Sequence, residues 1–225
     1  MWTKNLDRKP EKLFSEADPW ISRLDLSLGM PLPGIEAQKK MISNYQKSLI
    51  QYFNDNVKLR DAAVLIILFK ENERIKTLLI ERMPDPGPHS GQIAFPGGKK
   101  EETDSDLTDT AIREADEEIG VKVDRINVLG HLTNVEIPVS GFSVMPVVSF
   151  VNEITVFKRC PTEVNSILKV DLVNLLDSRT TKVINIRGSE VEVPCYVIDN
   201  HIVWGATAMV LSEFEEILKR VDLFF

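Results

Sequence analysis

The sequence lacks the features that mark membrane proteins and disulfide-rich proteins. It has 2 cysteines, Cys160 and Cys195, too few and too isolated for a disulfide framework or a zinc site. Its longest apolar run, Ala62 to Phe69, suits a buried strand and is far shorter than a membrane helix. The first residues carry no apolar segment of the kind that a signal peptide needs. These absences predict a cytoplasmic protein with no membrane partner.

The sequence also lacks an excess of positive charge, with 27 Lys and Arg against 34 Asp and Glu. The formal net charge is −7 over 225 residues, and no basic cluster is present that could neutralise a nucleic-acid backbone. The composition, 43% hydrophobic and 27% charged, is that of an ordinary globular protein. We therefore expect no nucleic-acid partner, and the composition leaves a homodimer open.

The strongest signal for chemistry is a group of acidic residues at helical spacing. Glu114, Glu117 and Glu118 stand at i, i+3 and i+4, so a helix places their carboxylates on one face. Like charges at this spacing oppose helix formation by about 0.2–0.5 kcal/mol per pair. Hard divalent cations such as Mg²⁺ take oxygen ligands and commonly bridge carboxylates to substrate phosphates. The cluster therefore indicates a cation site, although acidic residues on helices more often form only a solvated face.

The surrounding residues favour the cation site. An adjacent apolar stripe predicts a packed helix over 105–119; it consists of Ala111, Ile112, Ala115 and Ile119. Gly120 is a natural C-terminal stop, and three residues are candidate N-terminal caps: Asp104, Ser105 and Asp106. The glycine turn at 95–98 then lies just outside the start of the helix, next to the acids.

These residues resemble the Nudix box, the signature of the Nudix hydrolases. The likeness runs from Gly98 through Asp104 to the stretch 113–121, which reads Arg-Glu-Ala-Asp-Glu-Glu-Ile-Gly-Val. In that family the motif is a loop–helix–loop whose glutamates hold Mg²⁺ or Mn²⁺ against a diphosphate. The resemblance implies four metal ligands, namely the carbonyl of Gly97 and the carboxylates of Glu114, Glu117 and Glu118. It also implies that Arg113 orients an acid through an ion pair.

Segments on both sides of the box are similar to the branch of the family that hydrolyses coenzyme A. They span 78–82, 91–98, 140–148 and 203–208, so the likeness covers about residues 57–218. One position departs, because that branch carries a basic residue where this chain has Gly87. The resemblance implies coenzyme A or acyl-CoA as the substrate, cut to 3′,5′-ADP and (acyl) phosphopantetheine. ADP-ribose, NADH and dinucleoside polyphosphates stay open as alternatives.

Further residues are candidates for the same site. Glu163 matches an acid that serves in Nudix hydrolases as a ligand or as the general base, and a solvated loop glutamate is an equal alternative. Glu136 is a lesser candidate. Three residues are candidates for contact with substrate: Arg82 at a strand end, His89 beside the glycine turn, and Phe142. The predicted catalytic set is Arg113, Glu117, Glu118 and Glu163.

The order of the elements predicts an α/β protein. Residues 1–34 contain four prolines and are predicted as an irregular arm, followed by an amphipathic helix over 35–53. The predicted strands span 62–69, 77–81, 125–132, 144–151, 182–186, 191–198 and 201–203, and a closing helix spans 206–218. The resemblance implies a Nudix-type α/β/α sandwich over 57–225 with a mixed sheet, preceded by an N-terminal helical extension over 1–56.

Two other functional classes stay open. A Nudix-fold module that binds a nucleotide without hydrolysing it would usually have lost one of the box acids, and all of them are present here. A purely structural protein would require the carboxylate cluster to be accidental.

Overall fold

A mixed β-sheet forms the centre of the molecule. The computed structural model describes residues 19–47, 58–84, 86, 89–154, 156–186 and 188–221, and within these ranges the central sheet has eight strands. The strands are β1 (Arg60–Glu71), β2 (Arg74–Arg82), β3 (Ile93–Ala94), β4 (Gly97–Lys99), β5 (Val128–His131), β6 (Val135–Ile137), β7 (Phe142–Val151) and β8 (Val164–Asp171). The pair β1–β7 is parallel, and the other pairs are antiparallel.

Helices cover the sheet, and a small second sheet adjoins them. The helices are α1 (Pro19–Leu28), α2 (Gly34–Gln38), α3 (Leu107–Ile119), α4 (Leu172–Asp177) and α5 (Gly205–Arg220). Single 3₁₀ turns lie at Lys39–Met41 and Arg125–Asn127. The second sheet is antiparallel and consists of β9 (Arg179–Ile186), β10 (Ser189–Ile198) and β11 (His201–Val203).

The central strand β1 is buried on both faces, which explains its continuous apolar run. Leu65 and Ile67 belong to the core beneath α3, whereas Ile66 and Leu68 belong to the core beneath α1, α4 and α5. The sheet therefore lies between two helical layers. This arrangement confirms the predicted α/β/α sandwich with a mixed sheet and N-terminal helices.

The prediction of an irregular arm up to residue 34 is wrong for residues 19–28, which form α1. Ile21, Leu24 and Leu28 recur on one face of this helix and are buried in the main core. Pro19 lies in the first turn, where a missing N–H costs nothing. Residues 1–18 lie outside the described ranges.

The prediction of one helix over 35–53 is also wrong. The helical path stops at Ile42, which has extended dihedrals, and resumes at residues 44–47. Ser43 and Gln46 cause the restart, because each side chain bonds to the other residue's backbone N–H in a capping box. Residues 48–57 lie outside the described ranges.

The other elements agree with the predictions more closely. Strands β1 and β2 extend beyond their predicted ends. Helix α3 begins two residues after its predicted start, and α5 is longer than predicted by a residue or two at each end. The strand predicted over 125–132 is wrong at its start, where the 3₁₀ turn precedes β5. Strands β3, β4, β6 and β8 and the short helix α4 were not predicted. None of the described helices is long and apolar enough to cross a membrane.

Candidate active site

Helix α3 presents its acidic face to a cleft because its other face is fixed in the core. Of the three candidate caps, Asp106 is the one that accepts hydrogen bonds from the N–H groups of Thr108 and Asp109, at 2.9 and 3.0 Å. Gly120 ends the helix in the left-handed conformation, with φ of 68°. Three apolar residues of the helix are fully buried against the sheet: Ala111, Ala115 and Ile119. Both ends and the rotation of the helix are thus fixed.

The glycine turn lies against both β1 and the acidic helix. A Cβ atom at Gly97 would come within 2.3 Å of the carbonyl oxygen of Ala63, and its φ of 156° is one that side-chain-bearing residues rarely adopt. A Cβ atom at Gly98 would lie 2.5 Å from the carboxylate of Glu114. The absence of side chains here lets the backbone and the carboxylates share one narrow space.

One cleft of about 450 Å³ collects the residues predicted for the site. Its lining includes Arg82, His89, Gly97, Arg113, Glu114, Glu117, Glu118, Phe142 and Glu163. Glu136 lies elsewhere, exposed on β6 beside a smaller neighbouring cavity. Residue 87, where the chain departs from the coenzyme A branch, lies outside the described ranges.

Arg113 ties the acidic helix to the loop before it. Its guanidinium donates two hydrogen bonds to the carboxylate of Asp104, at 2.9 and 3.0 Å, and one to the carbonyl of Lys99 at 3.1 Å. It also reaches Glu114 and Glu117, both at 2.9 Å. The hydrogen bonds from Arg113 hold the pKa of Asp104 well below its usual range. A single cation therefore positions two of the three box carboxylates.

Glu118 is the buried member of the acidic cluster. Its side chain is 2% exposed, accepts a hydrogen bond from the N–H of Gly97 at 2.8 Å, and lies 3.7 Å from the guanidinium of Arg82. Burial raises the pKa of Glu118 to about 7, and the nearby charges of Glu114 and Glu163 act in the same direction. Burial also raises the pKa of Glu114. Negative charge in this cleft therefore lacks full compensation by the protein's own groups.

A model of the NUDIX domain family matches residues 59–177, a span that contains the cleft and all of α3. The chain belongs to the Nudix hydrolase family. Members of this family act on nucleotide diphosphate substrates and typically use a divalent metal.

Relatives and a solved structure agree with this membership. The chain is 33% identical to the uncharacterized Nudix hydrolase NudL of Yersinia enterocolitica over 79% of its own length and 91% of the relative's. The corresponding values for NudL of Salmonella paratyphi B are 31%, 76% and 90%. The crystal structure of a MutT/nudix family protein from Enterococcus faecalis superposes with a TM-score of 0.52 at 16% identity. It covers 82% of this chain and 73% of that one, which shows the shared fold.

The donor groups of the Nudix cleft fit a hard divalent cation in kind. Carboxylates and backbone carbonyls are the ligands that Mg²⁺ and Mn²⁺ prefer, and a cation would favour the ionised form of Glu118, whose pKa is raised by burial and by the neighbouring carboxylates. Among the described residues, however, no three His, Cys, Asp or Glu side chains are already arranged around a common point. Instead Arg113 holds Glu114 and Glu117, and Gly97 holds Glu118. Each of these hydrogen bonds uses one carboxylate oxygen, so the second oxygen of each glutamate would be the atom offered to a metal.

Glu163 lines the cleft from a segment outside the box helix. It lies in the turn that leads into β8, with an exposed side chain, and its carboxylate influences the pKa of both Glu114 and Glu118. Sequence reasoning placed it near the site without fixing its role. It did not foresee the ion pair between Arg82 and Glu118, or the guanidinium of Arg60 that lies 4.1 Å from the ring centre of Phe142.

Proposed function

We propose that the protein is a metal-dependent diphosphatase that cleaves coenzyme A or acyl-CoA to 3′,5′-ADP and (acyl) phosphopantetheine. The observation that carries the proposal is the convergence of Glu114, Glu117, Glu118 and the Gly97 turn on one cleft. Family membership supports diphosphate hydrolysis, and the choice of coenzyme A is a further step beyond it.

In this proposal the cleft residues have distinct tasks. Glu114, Glu117, Glu118 and the carbonyl of Gly97 would hold Mg²⁺ or Mn²⁺. When bound, the metal would neutralise the phosphoryl oxygens and activate water. Arg113 fixes the orientation of Glu114 and Glu117, as its hydrogen bonds indicate.

A carboxylate near the metal accepts the proton of the attacking water. Glu163 is suited to this task because its side chain is exposed at the cleft and is not buried beneath the helix. One of the helix glutamates is the alternative base. The variant Glu163→Gln distinguishes the two assignments. If Glu163 is the base, we expect kcat to fall while the helix still binds the metal.

The segments that resemble the coenzyme A branch support the choice of substrate by their placement. Segment 78–82 brings Arg82 to the cleft, segment 91–98 brings Gly97, and segment 140–148 brings Phe142. Segment 203–208 lines an adjoining cavity through Ala206. All four segments thus gather around the place where a diphosphate and its two arms would lie.

Product chromatography tests the proposal. Purified protein is incubated with Mg²⁺ or Mn²⁺ and, separately, with coenzyme A, acetyl-CoA, ADP-ribose, NADH and diadenosine polyphosphates. We expect preferred release of 3′,5′-ADP from coenzyme A or acetyl-CoA. Preferred cleavage of another compound contradicts the substrate and keeps the chemistry, whereas absence of cleavage across the panel contradicts hydrolysis and favours a nucleotide-binding module.

A further inference from the structure

A second cavity opens from the side of the carboxylate cleft. It has a volume of about 130 Å³ and shares Val64, Arg82 and Gly97 with the cleft. Its inner wall is apolar and includes Phe95, Val135 and Val210. We call this cavity the apolar annex. The annex and the cleft share walls. A group bound in the annex would therefore lie next to a diphosphate bound beside α3.

Few of the residues that line the annex are ionisable. Among the described residues that line it, the ionisable ones are Arg82 and His89, and both also line the cleft. Two uncharged polar side chains also line it: the hydroxyl of Thr207 donates to the carbonyl of Ile93 at 3.0 Å, and the side-chain oxygen of Gln92 lies 3.1 Å from the ring nitrogen Nδ1 of His89. Most of the other lining side chains are apolar, and burying a polar group against them costs free energy, so the annex favours an apolar group.

The size of the annex limits what it can hold. A cavity of about 150 Å³ lined by apolar side chains binds benzene. At about 130 Å³ the annex is slightly smaller, so it takes a compact group of a few carbon atoms. A complete nucleoside is too large and too polar for it.

The wall of the annex extends beyond the segment that defines the family. Ala206, Thr207 and Val210 belong to α5, whereas the family match ends at residue 177. A smaller cavity shares Ala206 and Val135 with the annex and reaches Ile42 in the N-terminal segment. Part of the wall of the annex is therefore supplied by an element outside the matched domain.

We propose that the apolar annex binds the branched dimethyl carbon of the pantoyl arm of coenzyme A, with α5 as the specificity-determining wall. The inference rests on the proposed function. In coenzyme A this quaternary carbon is separated from the diphosphate by a single ester CH₂, so it lies beside the cleft when the diphosphate does. In ADP-ribose the corresponding position belongs to a ribose ring, which is more polar than the mostly apolar lining of the annex favours.

The test compares two substrates in the variant Ala206→Leu. Ala206 is half-buried in the first turn of α5, so leucine suits the helix and fills the annex. We expect the ratio of kcat/KM for coenzyme A to that for ADP-ribose to fall about tenfold, mainly through KM for coenzyme A. An unchanged ratio overturns the proposal.

A pair of further variants tests the proposal independently, in case Ala206→Leu does not fold. Val210→Ala enlarges the annex and is expected to raise KM for coenzyme A several-fold relative to ADP-ribose. Val183→Ala makes the same change at a residue that is 62% exposed on β9, and we expect it to alter neither KM. Equal effects of Val210→Ala on both substrates contradict the role of the annex.

Ligand binding separates failure of the annex from failure of the proposed function. Calorimetry of the wild type is expected to show tighter binding of 4′-phosphopantetheine than of ribose 5-phosphate, and Ala206→Leu is expected to remove this difference. If the wild type releases 3′,5′-ADP but binds both compounds equally, only the annex proposal is wrong. If the wild type releases no 3′,5′-ADP, the proposed function is wrong and the annex proposal falls with it.

Discussion

The carboxylate of Glu118 accepts a hydrogen bond from the backbone N–H of Gly97 at 2.8 Å, which joins the acidic helix to the glycine turn. The same carboxylate is almost completely buried, so its negative charge is held in a place that disfavours charge. A buried carboxylate destabilises the metal-free fold, and a bound cation would offset its unfavourable charge. Such a carboxylate is therefore expected at a cation-binding site.

The variant Glu118→Gln is expected to alter stability in a pH-dependent way. In the folded protein the pKa of Glu118 is raised from 4.5 to about 7. Between these values the folded state holds a proton that the unfolded state has lost, so the free energy of unfolding falls as pH rises. The fall amounts to at most about 3 kcal/mol. Glutamine cannot titrate, so the metal-free variant lacks this fall and is the more stable protein at pH 8.

Urea unfolding in EDTA at pH 5 and pH 8 measures this effect. The matched control is Asp116→Asn, because Asp116 is exposed on the same helix. We expect the control to follow the wild type. If the free energy of unfolding depends on pH in the same way in the wild type and in Glu118→Gln, then Glu118 does not cause the fall in stability.

The variant Asp104→Asn is expected to destabilise the protein at neutral pH. The pKa of Asp104 is lowered in the folded state, so its stabilising effect is present above its ordinary value of 3.8 and is lost as pH falls below it. We expect the loss of the charged pair with Arg113 to lower the free energy of unfolding by about 2 kcal/mol at pH 7. The loss shrinks as pH falls below 3.8, because Asp104 of the unfolded wild type then takes up a proton that the folded protein does not hold.

The control for Asp104 is Asp109→Asn. Asp109 on α3 pairs at the surface with Arg125 of the 3₁₀ turn, and exposed pairs contribute about 0–1 kcal/mol. Urea unfolding at pH 7 compares the two variants. Equal losses contradict a special role for the contact between Asp104 and Arg113.

The variant Gly98→Ala separates the position of a carboxylate from the stability of the fold. The new methyl group would lie 2.5 Å from the carboxylate of Glu114, a flexible end that can move aside. We therefore expect a change of less than about 1 kcal/mol in stability, together with a loss of about 10²-fold in kcat. Gly29→Ala is the control, since its methyl group meets only ordinary contacts, the nearest at 3.4 Å. Full activity of Gly98→Ala would show that the close approach of residue 98 to the carboxylate of Glu114 is not required for catalysis.

The variant Glu213→Ala tests whether the N-terminal helices unfold with the rest of the protein. Glu213 is completely buried on α5 and accepts hydrogen bonds from the N–H of Gly34, the amide of Gln38 and the backbone and hydroxyl of Thr133. Its removal leaves these donors without their partner, and we expect a loss of about 3 kcal/mol in one cooperative transition. Glu190→Ala, at an exposed site on β10, is the control. Two separate unfolding transitions would contradict the expectation that the N-terminal helices unfold together with the rest of the protein.

The sequence predicted α3 well because its signals are local. The apolar stripe, the cap at Asp106 and the stop at Gly120 all lie within the helix or beside it. The N-terminal region was harder to predict, since four prolines suggested an irregular arm and the apolar period concealed the restart at Ser43. The spacing of Ser43 and Gln46 is a signal that was present and missed.

The convergence of the candidate site was predicted in part. The three glutamates share a face by helical spacing alone, whereas the ion pair between Arg82 and Glu118 exists only because β2 and α3 meet in the folded sandwich. The apolar annex was not predictable, because its lining joins residues from the middle of the chain to Ala206 and Val210 on the last helix. Such contacts depend on topology, which no local pattern encodes.

The most direct test of the central claim compares coenzyme A hydrolysis by the wild type, the double variant Glu117→Gln/Glu118→Gln and the control Asp116→Asn, with Mg²⁺ or Mn²⁺ and detection of 3′,5′-ADP by chromatography. We predict that the wild type and the control release 3′,5′-ADP at similar rates. We predict a loss of about 10³-fold or more in the double variant, since it removes two of the proposed ligands. Equal hydrolysis by the wild type and the double variant would contradict metal catalysis at this helix.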